Sequence, residues 1–330
     1  PRMENERKCI AVLISEVCEV YQSLIIDGIR KKAIEHNYNV AVFASFFSTT
    51  MEGILGKQGE NNIFKLVNYN LFDGFIVLPN ALSEEILTPM AEKLKSAGKP
   101  VVYLDRETTD FYSVCSDDYN SFKFITNHMI KKHNFTRINC ITGYQGMNLS
   151  EARLRGYIDA LKENNIEVEE DRYTYGDFWR VAPVQFVEHI ISCGLELPQA
   201  IICANDTMAI ATCDALRKHG LRVPEDIAVT GYDRIVDGRI FHPQIASMLP
   251  ALTAMGSKSV DVIADLLEGK KVAKNSYISG IFYPTESCGC PLSKDKEIDD
   301  IAILHKNIEM SQYFINSIYM YEQLQESSNA

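Results

Sequence analysis

The sequence predicts an α/β fold built as two lobes, each a parallel sheet covered by helices on both faces. Three observations carry this. Short runs rich in β-branched residues alternate with amphipathic helical patterns. Those runs are apolar throughout rather than alternating, as strands buried on both faces are. The rhythm also stops at a polar turn, DRETTD at 105–110, and starts again.

In order, CIAVLI (9–14) is the first strand, followed by a helix over 21–35, YNVAVFA (38–44), a helix in the fifties and sixties, DGFIVLP (73–79), another helix, and VVYL (101–104). That set makes one βαβ lobe. After the turn come YSVCS, a helix over 119–132, TRINCITG (136–143), the helix SEARLRGYIDALKEN (150–164), a short strand, the helix VAPVQFVEHIIS, AIICA (200–204), the helix TMAIATCDALRKHG and DIAVTGYD (226–233). A second lobe of the same kind follows the first. ASMLP (246–250) leads into the helix TAMGSKSVDVIADLLEG (253–269), and YISGIFYP (277–284) reads as one more strand. These late elements follow a nearly complete second lobe, so some must return to the first. The expected division is 8–109 plus about 250–272 for the N-lobe and 110–249 plus about 273–290 for the C-lobe. Several crossovers then join the lobes around a hinged cleft, the usual place for a small ligand.

From position 294 the composition changes. KDKEIDDIAILHKNIEMSQYFINSIYMYEQLQESSNA has no strand pattern, and Ile301, Leu304, Ile308, Ile315 and Ile318 fall near a/d spacing, with Ser311 and Glu322 breaking the seam. A projecting C-terminal helix over 294–330 is expected, as a linker or as the coiled-coil stalk of a homodimer. A terminal helix packed on the body is the plainer alternative. The polar end QLQESSNA is expected to lie inside a linker of a longer natural chain.

At 330 residues and 46% hydrophobic, the chain is long and apolar enough to bury two cores. A formal net charge of −11 argues against a phosphate-binding surface, because nucleic-acid binders carry clustered lysine and arginine. No direct nucleic-acid contact is expected from this chain. Its nine cysteines, odd in number and scattered through apolar patterns, fit buried thiols in a reducing compartment better than a disulfide framework. The opening PRMENERK has no apolar h-region, and no run of about eighteen apolar residues occurs. A cytoplasmic protein without a membrane partner is the expectation.

The phosphate-binding, dinucleotide-binding, nucleophile-elbow and H-E-x-x-H motifs are absent, so neither an enzyme nor a cofactor is expected. The seven histidines are dispersed, and no metal ligand set is expected. Cys288-Gly289-Cys290 is one close pair without a partner pair. Two ordinary thiols in a turn is its favoured reading, with a redox or metal role as the alternative.

What remains is a set of polar side chains where apolar strands stop: Asp105 after VVYL, Asn205 and Asp206 after AIICA, and Asp233 after IAVTGY, with Arg153 at the start of its helix. In open α/β sheets, ligands bind beyond the carboxyl ends of the strands. Carboxylates, an amide and a guanidinium together offer acceptors and a forked donor, suited to a polyhydroxylated or heterocyclic ligand. Phe178 and Trp179, following Gly176-Asp177, could supply a flat apolar face for a ring. Each has a plainer role: Asp206 as a helix cap, Asp105 and Asp233 as turn formers, Arg153 as a surface residue, Trp179 as a core or rim aromatic. Their joint placement at one edge favours the ligand reading.

NDTMAIATCDALRKHGLRVPEDIAVTGYD (205–233) resembles the effector-domain signature of LacI/GalR-type regulators, in which an Asn-Asp turn, a helix, a G-L-x-V-P-x-D loop and a G-[YF]-D turn follow one another. ARLRGYIDAL (152–161) is similar to the family's R-x-x-G-[YF] helix, GDF (176–178) to the turn that carries an aromatic onto the ligand, and VVYLDR to the end of its last N-lobe strand. The resemblance runs over about 8–285 and implies a two-lobe periplasmic-binding-protein-like (type I) fold that closes on a small effector. It implies Arg153 as forked donor, Asn205 and Asp233 as partners of hydroxyls or ring nitrogens, Asp105 as the N-lobe contribution and Phe178 as stacking surface. Trp179 is added by adjacency.

Three departures stand out. Where the family usually has N-P-F-F, this sequence has Glu19-Val20-Tyr21-Gln22, which places Tyr21 on an altered pocket wall. No helix-turn-helix or hinge helix precedes Lys8. PTESCGCPL leads into a long helical pattern, which resembles cytoplasmic sensor regions of this fold found upstream of GGDEF diguanylate cyclases, histidine kinases or C-terminal DNA-binding domains. The expectation is therefore a small-molecule-sensing domain of a bacterial regulator or signalling protein, acting through the C-terminal helix on an output module such as a GGDEF domain, which could itself be catalytic. The alternative is the effector domain of a LacI-type transcription regulator whose helix-turn-helix is missing from this chain. An enzyme using Asp105, Asp206 and Asp233 and a transport-type binding protein are rivals from other classes. A sugar, nucleoside or similar effector and a second copy of the chain are the expected partners.

Overall fold

The computed structural model describes residues 7–17, 19–46, 59 and 61–292. The expected C-terminal helix over 294–330 and most of the helix in the fifties lie outside those residues. Among the described residues, the strands form two six-stranded sheets. The first contains β1 (Cys9–Ile14), β2 (Asn39–Ala44), β3 (Gly74–Val77), β4 (Val101–Leu104), β5 (Tyr112–Ser116) and β11 (Asn275–Ile278). The second contains β6 (Ile138–Ile141), β7 (Tyr173–Thr174), β8 (Ala200–Cys203), β9 (Ala228–Tyr232), β10 (Ala246–Leu249) and β12 (Ile281–Tyr283). All pairs of the first sheet, and those linking β7 through β10 in the second, run parallel. The helices are α1 (Val20–Glu35), α2 (Glu84–Ala97), α3 (Asp118–His133), α4 (Asn148–Glu163), α5 (Val181–Ser192), α6 (Asp206–Lys218), α7 (Val236–Ile240) and α8 (Leu252–Leu267).

Two compact units divide the chain, one from 1–120 with 250–281 and the other from 121–249 with 282–330. The expected boundaries at 109/110 and 272/273 are displaced, for a pairing reason. YSVCS, assigned above to the C-lobe, is β5, which pairs with β4 on one side and β11 on the other. The run YISGIFYP is also not one strand. It breaks at Ser279-Gly280 into β11 of the first sheet and β12 of the second, where β12 lies beside β10.

Continuous apolar strands arise because both faces are covered. In β1, successive side chains alternate between faces: Ile10, Val12 and Ile14 pack with Ile25 and Ile29 of α1 and Val260 and Ile263 of α8. Ala11 and Leu13 pack instead with Leu87, Met90 and Leu94 of α2. Full burial of each such aliphatic chain contributes about 1.5–3 kcal/mol. The core of the second unit is one cluster, running from Phe122 and Ile125 of α3 through β6, β8 and β9 to Cys288 and Cys290.

In the first unit α1 and α8 cross at two glycines. A Cβ on Gly28 would collide with the Thr253 carbonyl, and one on Gly256 with the Ile25 carbonyl. Ser257 Oγ donates to the Gly28 carbonyl at 3.2 Å, and His36 meets Asp261 at 2.8 Å further along. Since α8 caps the same face of the sheet as α1, widening this crossing loosens the core beneath it. Gly256→Val should therefore cost about 1–3 kcal/mol in urea unfolding; an unchanged midpoint would show that the helices do not approach this closely.

Candidate functional site

Both sheets have the same strand order, β2-β1-β3-β4-β5-β11 and β7-β6-β8-β9-β10-β12. Each begins at an interior strand and reverses beside it, between β1 and β3 in one and between β6 and β8 in the other. Ligand crevices of open α/β sheets lie beyond the carboxyl ends at this reversal.

Backbone strain marks the same edges. Eight non-glycine residues among those described have positive φ. Asn37, Asn134 and Asn165 follow helix ends, where asparagine tolerates the left-handed region. The other five follow strands: Glu16 after β1, Asp105 (φ 52°) after β4, Phe178 (φ 58°) after β7, and Asp233 (φ 90°) with Arg234 after β9. Such residues persist where their surroundings over-determine them, commonly at binding sites.

In the first unit, the Tyr21 hydroxyl donates to the Asp105 carboxylate. The Ser116 N–H donates to Asp105 Oδ1 at 2.7 Å, and the Asp105 N–H to the Val114 carbonyl at 3.0 Å, so the strained turn is tied to β5. Beside Tyr21, Gln22 is buried, its Nε2 donating to Glu16 at 3.3 Å while its Oε1 has no partner. Burial, reinforced by Glu19, raises the Glu16 carboxyl above its usual range. Glu16 escaped sequence reasoning, since nothing in SEVCEV distinguishes it from a loop acid.

In the second unit, Arg153 of α4 is not the exposed helix residue of the plain reading. It is 7% exposed, with Nη1 donating to the Ala204 carbonyl at 2.7 Å. Its guanidinium carbon stands 4.1 Å from the Tyr232 ring centroid, 5.6 Å from that of Phe122 and 5.8 Å from that of Phe178. Three aromatic faces thus hold the cation. Phe122 and Tyr232 were not singled out from the sequence, because in a periodic apolar pattern they read as core.

Phe178 lies directly over Gly143, where a Cβ would collide with its ring. Its carbonyl accepts from Asn205 Nδ2 at 3.0 Å, and Asn205 Oδ1 accepts from the Met208 N–H at 2.8 Å. Asn205 is therefore the cap of α6 and also the strut of the Phe178 loop. Trp179 is 61% exposed, its N–H donating to Asp177 Oδ1 at 3.0 Å. Asp233 N–H donates to the Met248 carbonyl at 2.9 Å, which holds its turn on β10.

Asp206 sits beneath this edge. It is 1% exposed, and Oδ2 accepts from the Ile235 N–H at 2.8 Å while Gly231 and Gly238 close over the carboxyl group. The capping role weighed for it belongs to Asn205. Burial raises its carboxyl well above the usual 3.8, against an opposing hydrogen bond from Ser247 and with added repulsion from Asp233.

Two further features lie apart. A groove of about 300 Å³ between β7 and α5, lined by Tyr173, Gln185, Phe186 and His189, contains none of the strand-end residues just described. The expectation that Cys288 and Cys290 lack a partner pair is corrected: His128 and His133 reach them from α3. Among the described residues, no helix is long and apolar enough to cross a membrane.

Residues 126–287 match the family pattern of the periplasmic binding protein-like domain. The chain is 26% identical over 285 residues to the HTH-type transcriptional repressor CytR of Escherichia coli (strain K12), covering 82% of this chain and 76% of that one. Its fold is shared with the transcriptional regulator CelR in its cellobiose complex (TM-score 0.67, 23% identity, 86% of this chain and 85% of that one). It is shared likewise with the lac repressor dimer bound to operator and the anti-inducer ONPF (TM-score 0.67, 20% identity, 88% and 96%). The architecture is thus the two-sheet α/β fold of LacI-type effector-binding domains, and the relatives named are regulators, not enzymes.

The Asp206 environment gives a pH test. With its folded value raised above 3.8, the folded state holds the proton more tightly, so stability present below about pH 4 is lost as pH rises toward the folded value. Asp206→Asn removes that titration. The urea midpoint of the parent should fall more steeply than that of the variant between pH 4 and 7, and parallel profiles would refute the assignment.

Proposed function

We propose that this chain is the effector-binding domain of a LacI-type transcription regulator in the cytoplasm. The observation that carries the proposal is the strained, aromatic-lined carboxyl edge of the second sheet, where the buried Arg153 guanidinium, Phe178, Asn205 and Asp233 converge. This reading is favoured over a sensor for a GGDEF output, which has no support among the relatives named. The likeness to CytR supports it, and a net charge of −11 supports DNA contacts made elsewhere than by these residues.

The effector in this reading is a sugar, nucleoside or similar ring bearing several hydroxyls. Arg153 donates to hydroxyls or a carboxylate in a geometry that Tyr232 and Ala204 have already fixed, so little side-chain entropy is lost on binding. Phe178 offers a ring face and Trp179 an exposed one beside it. Asn205 and Asp233 accept and donate at the rim, and Asp206 positions the turn that carries Asp233. In the first unit, Tyr21 and Asp105 mark the corresponding carboxyl edge of its own sheet. The regulator acts as a homodimer, as the lac repressor does in its operator complex.

Thermal unfolding against a panel of sugars, sugar phosphates and nucleosides tests this. A compound present at about a hundred times its Kd should stabilise the protein by about 2.7 kcal/mol. Asp233→Asn, which keeps a residue tolerant of positive φ, should raise Kd at least about tenfold, a loss of about 1.4 kcal/mol. A compound that binds both proteins equally well would place its site elsewhere.

A further inference from the structure

Unit 2 also gathers four metal-ligating side chains that the proposed effector site does not use. His128 and His133 lie on the last turns of α3, and Cys288 and Cys290 flank Gly289 just after β12. Their ligand atoms all lie within 4.8 Å of one another. His128 Nε2 is 3.2 Å from His133 Nε2, and Cys290 Sγ is 3.6 Å and 3.5 Å from those two nitrogens. Cys288 Sγ is 4.0 Å from His128 Nε2. A tetrahedral zinc with Zn–S near 2.3 Å and Zn–N near 2.0–2.1 Å has N···N edges of about 3.3 Å and N···S edges of about 3.6 Å. His128, His133 and Cys290 already stand at the edge lengths such an ion requires, and Cys288 Sγ, 4.0 Å from His128 Nε2, is within a few tenths of an ångström of the fourth corner on that edge.

The scaffold holds them there. Gly289, at φ 87°, lets the chain curl so that the N–H groups of Cys288 and Cys290 both donate to the Thr285 carbonyl at 3.2 Å. Between them and the sheet, Ser287 Oγ donates to the Val229 carbonyl at 2.6 Å and accepts from the Ala246 N–H at 2.8 Å, which staples the turn to β9 and β10. The imidazoles are fixed as well: His128 meets Phe282 edge-on at 5.0 Å, and His133 stacks on Phe135 at 5.4 Å. Both cysteines are at most 9% exposed. Two thiolates and two imidazoles with no carboxylate among them favour zinc over magnesium or calcium.

We propose that His128, His133, Cys288 and Cys290 form a closed structural zinc site that pins the chain after β12 to the end of α3. With all four positions taken by protein, the ion supplies no catalysis. It ties together residues 160 apart in sequence, a long loop whose closure constrains the unfolded chain. The proposal is independent of the effector reading.

The full chain, purified in reductant without added metal, should carry one zinc per chain by elemental analysis. After stripping, cobalt(II) should give tetrahedral d–d bands with thiolate charge-transfer bands, displaced by zinc. Chelation should lower the unfolding temperature of the parent. His133→Asn and Cys290→Ser should lose the stoichiometric metal and the cobalt spectrum. His189→Asn should keep both, although His189 Nδ1 lies 3.4 Å from Cys193 Sγ and so offers a His/Cys pair outside the cluster. The parent's own cobalt titration decides the matter even where a variant fails to fold. A folded parent with no zinc and no thiolate-to-cobalt band, or one isolated from reductant with a Cys288–Cys290 disulfide, would overturn the site.

Discussion

Burial of each sheet on both faces is the constraint from which the rest follows. When Ile10 and Val12 face one helical layer and Ala11 and Leu13 the other, no side chain along β1 is left for polar chemistry. Function is driven to the strand ends, where the backbone leaves the ladder and must turn toward the next element. The turns after β1, β4, β7 and β9 all pass through left-handed conformations at residues other than glycine. Each is held by hydrogen bonds to a neighbouring strand or loop, as Asp105 is by Val114 and Ser116 and Asp233 is by Met248.

The same economy shapes the guanidinium of Arg153. A buried cation is tolerable only when its desolvation is offset, and here a backbone carbonyl and three aromatic rings do so. Gly143 belongs to this arrangement, because only a residue without a Cβ leaves room for Phe178. A glycine at the end of TRINCITG was the available sequence signal, but a strand-terminal glycine is too common to point at one ring.

The alternation of apolar runs with helical patterns was sufficient to place nearly every strand, because fully buried parallel strands advertise themselves. It could not assign strands to sheets: β5 looks like any opening strand until its pairing with β4 and β11 is known, and YISGIFYP hides the division at Ser279-Gly280. At the strand ends, position along the chain put Asn205, Asp206 and Asp233 at the carboxyl edge of the second sheet, where the structure has them, yet adjacency could not tell the cap from the buried acid. That difference is one of direction: Asn205 leads into α6 with an extended backbone, while Asp206 is already helical and turns its carboxyl toward Ile235. The His/Cys cluster was invisible for another reason. Its halves are a helical pair five residues apart and a Cys-Gly-Cys turn, brought together only when β12 is laid beside β10.

The discontinuity of the first unit has a consequence for biosynthesis. Its sheet lacks β11, and one face of its core lacks α8, until position 281 has been made, although its other strands are complete by position 116. At translation rates of about 5–20 residues per second, that interval lasts about 8–33 s. During it Ile25, Ile29 and Val102, which belong to the same apolar cluster as Val260 and Ile263, have no α8 to cover them. The first unit, begun earliest, is thus completed only a few residues before the second, whose last strand β12 ends at Tyr283, and one apolar face of its sheet stays uncovered in the meantime.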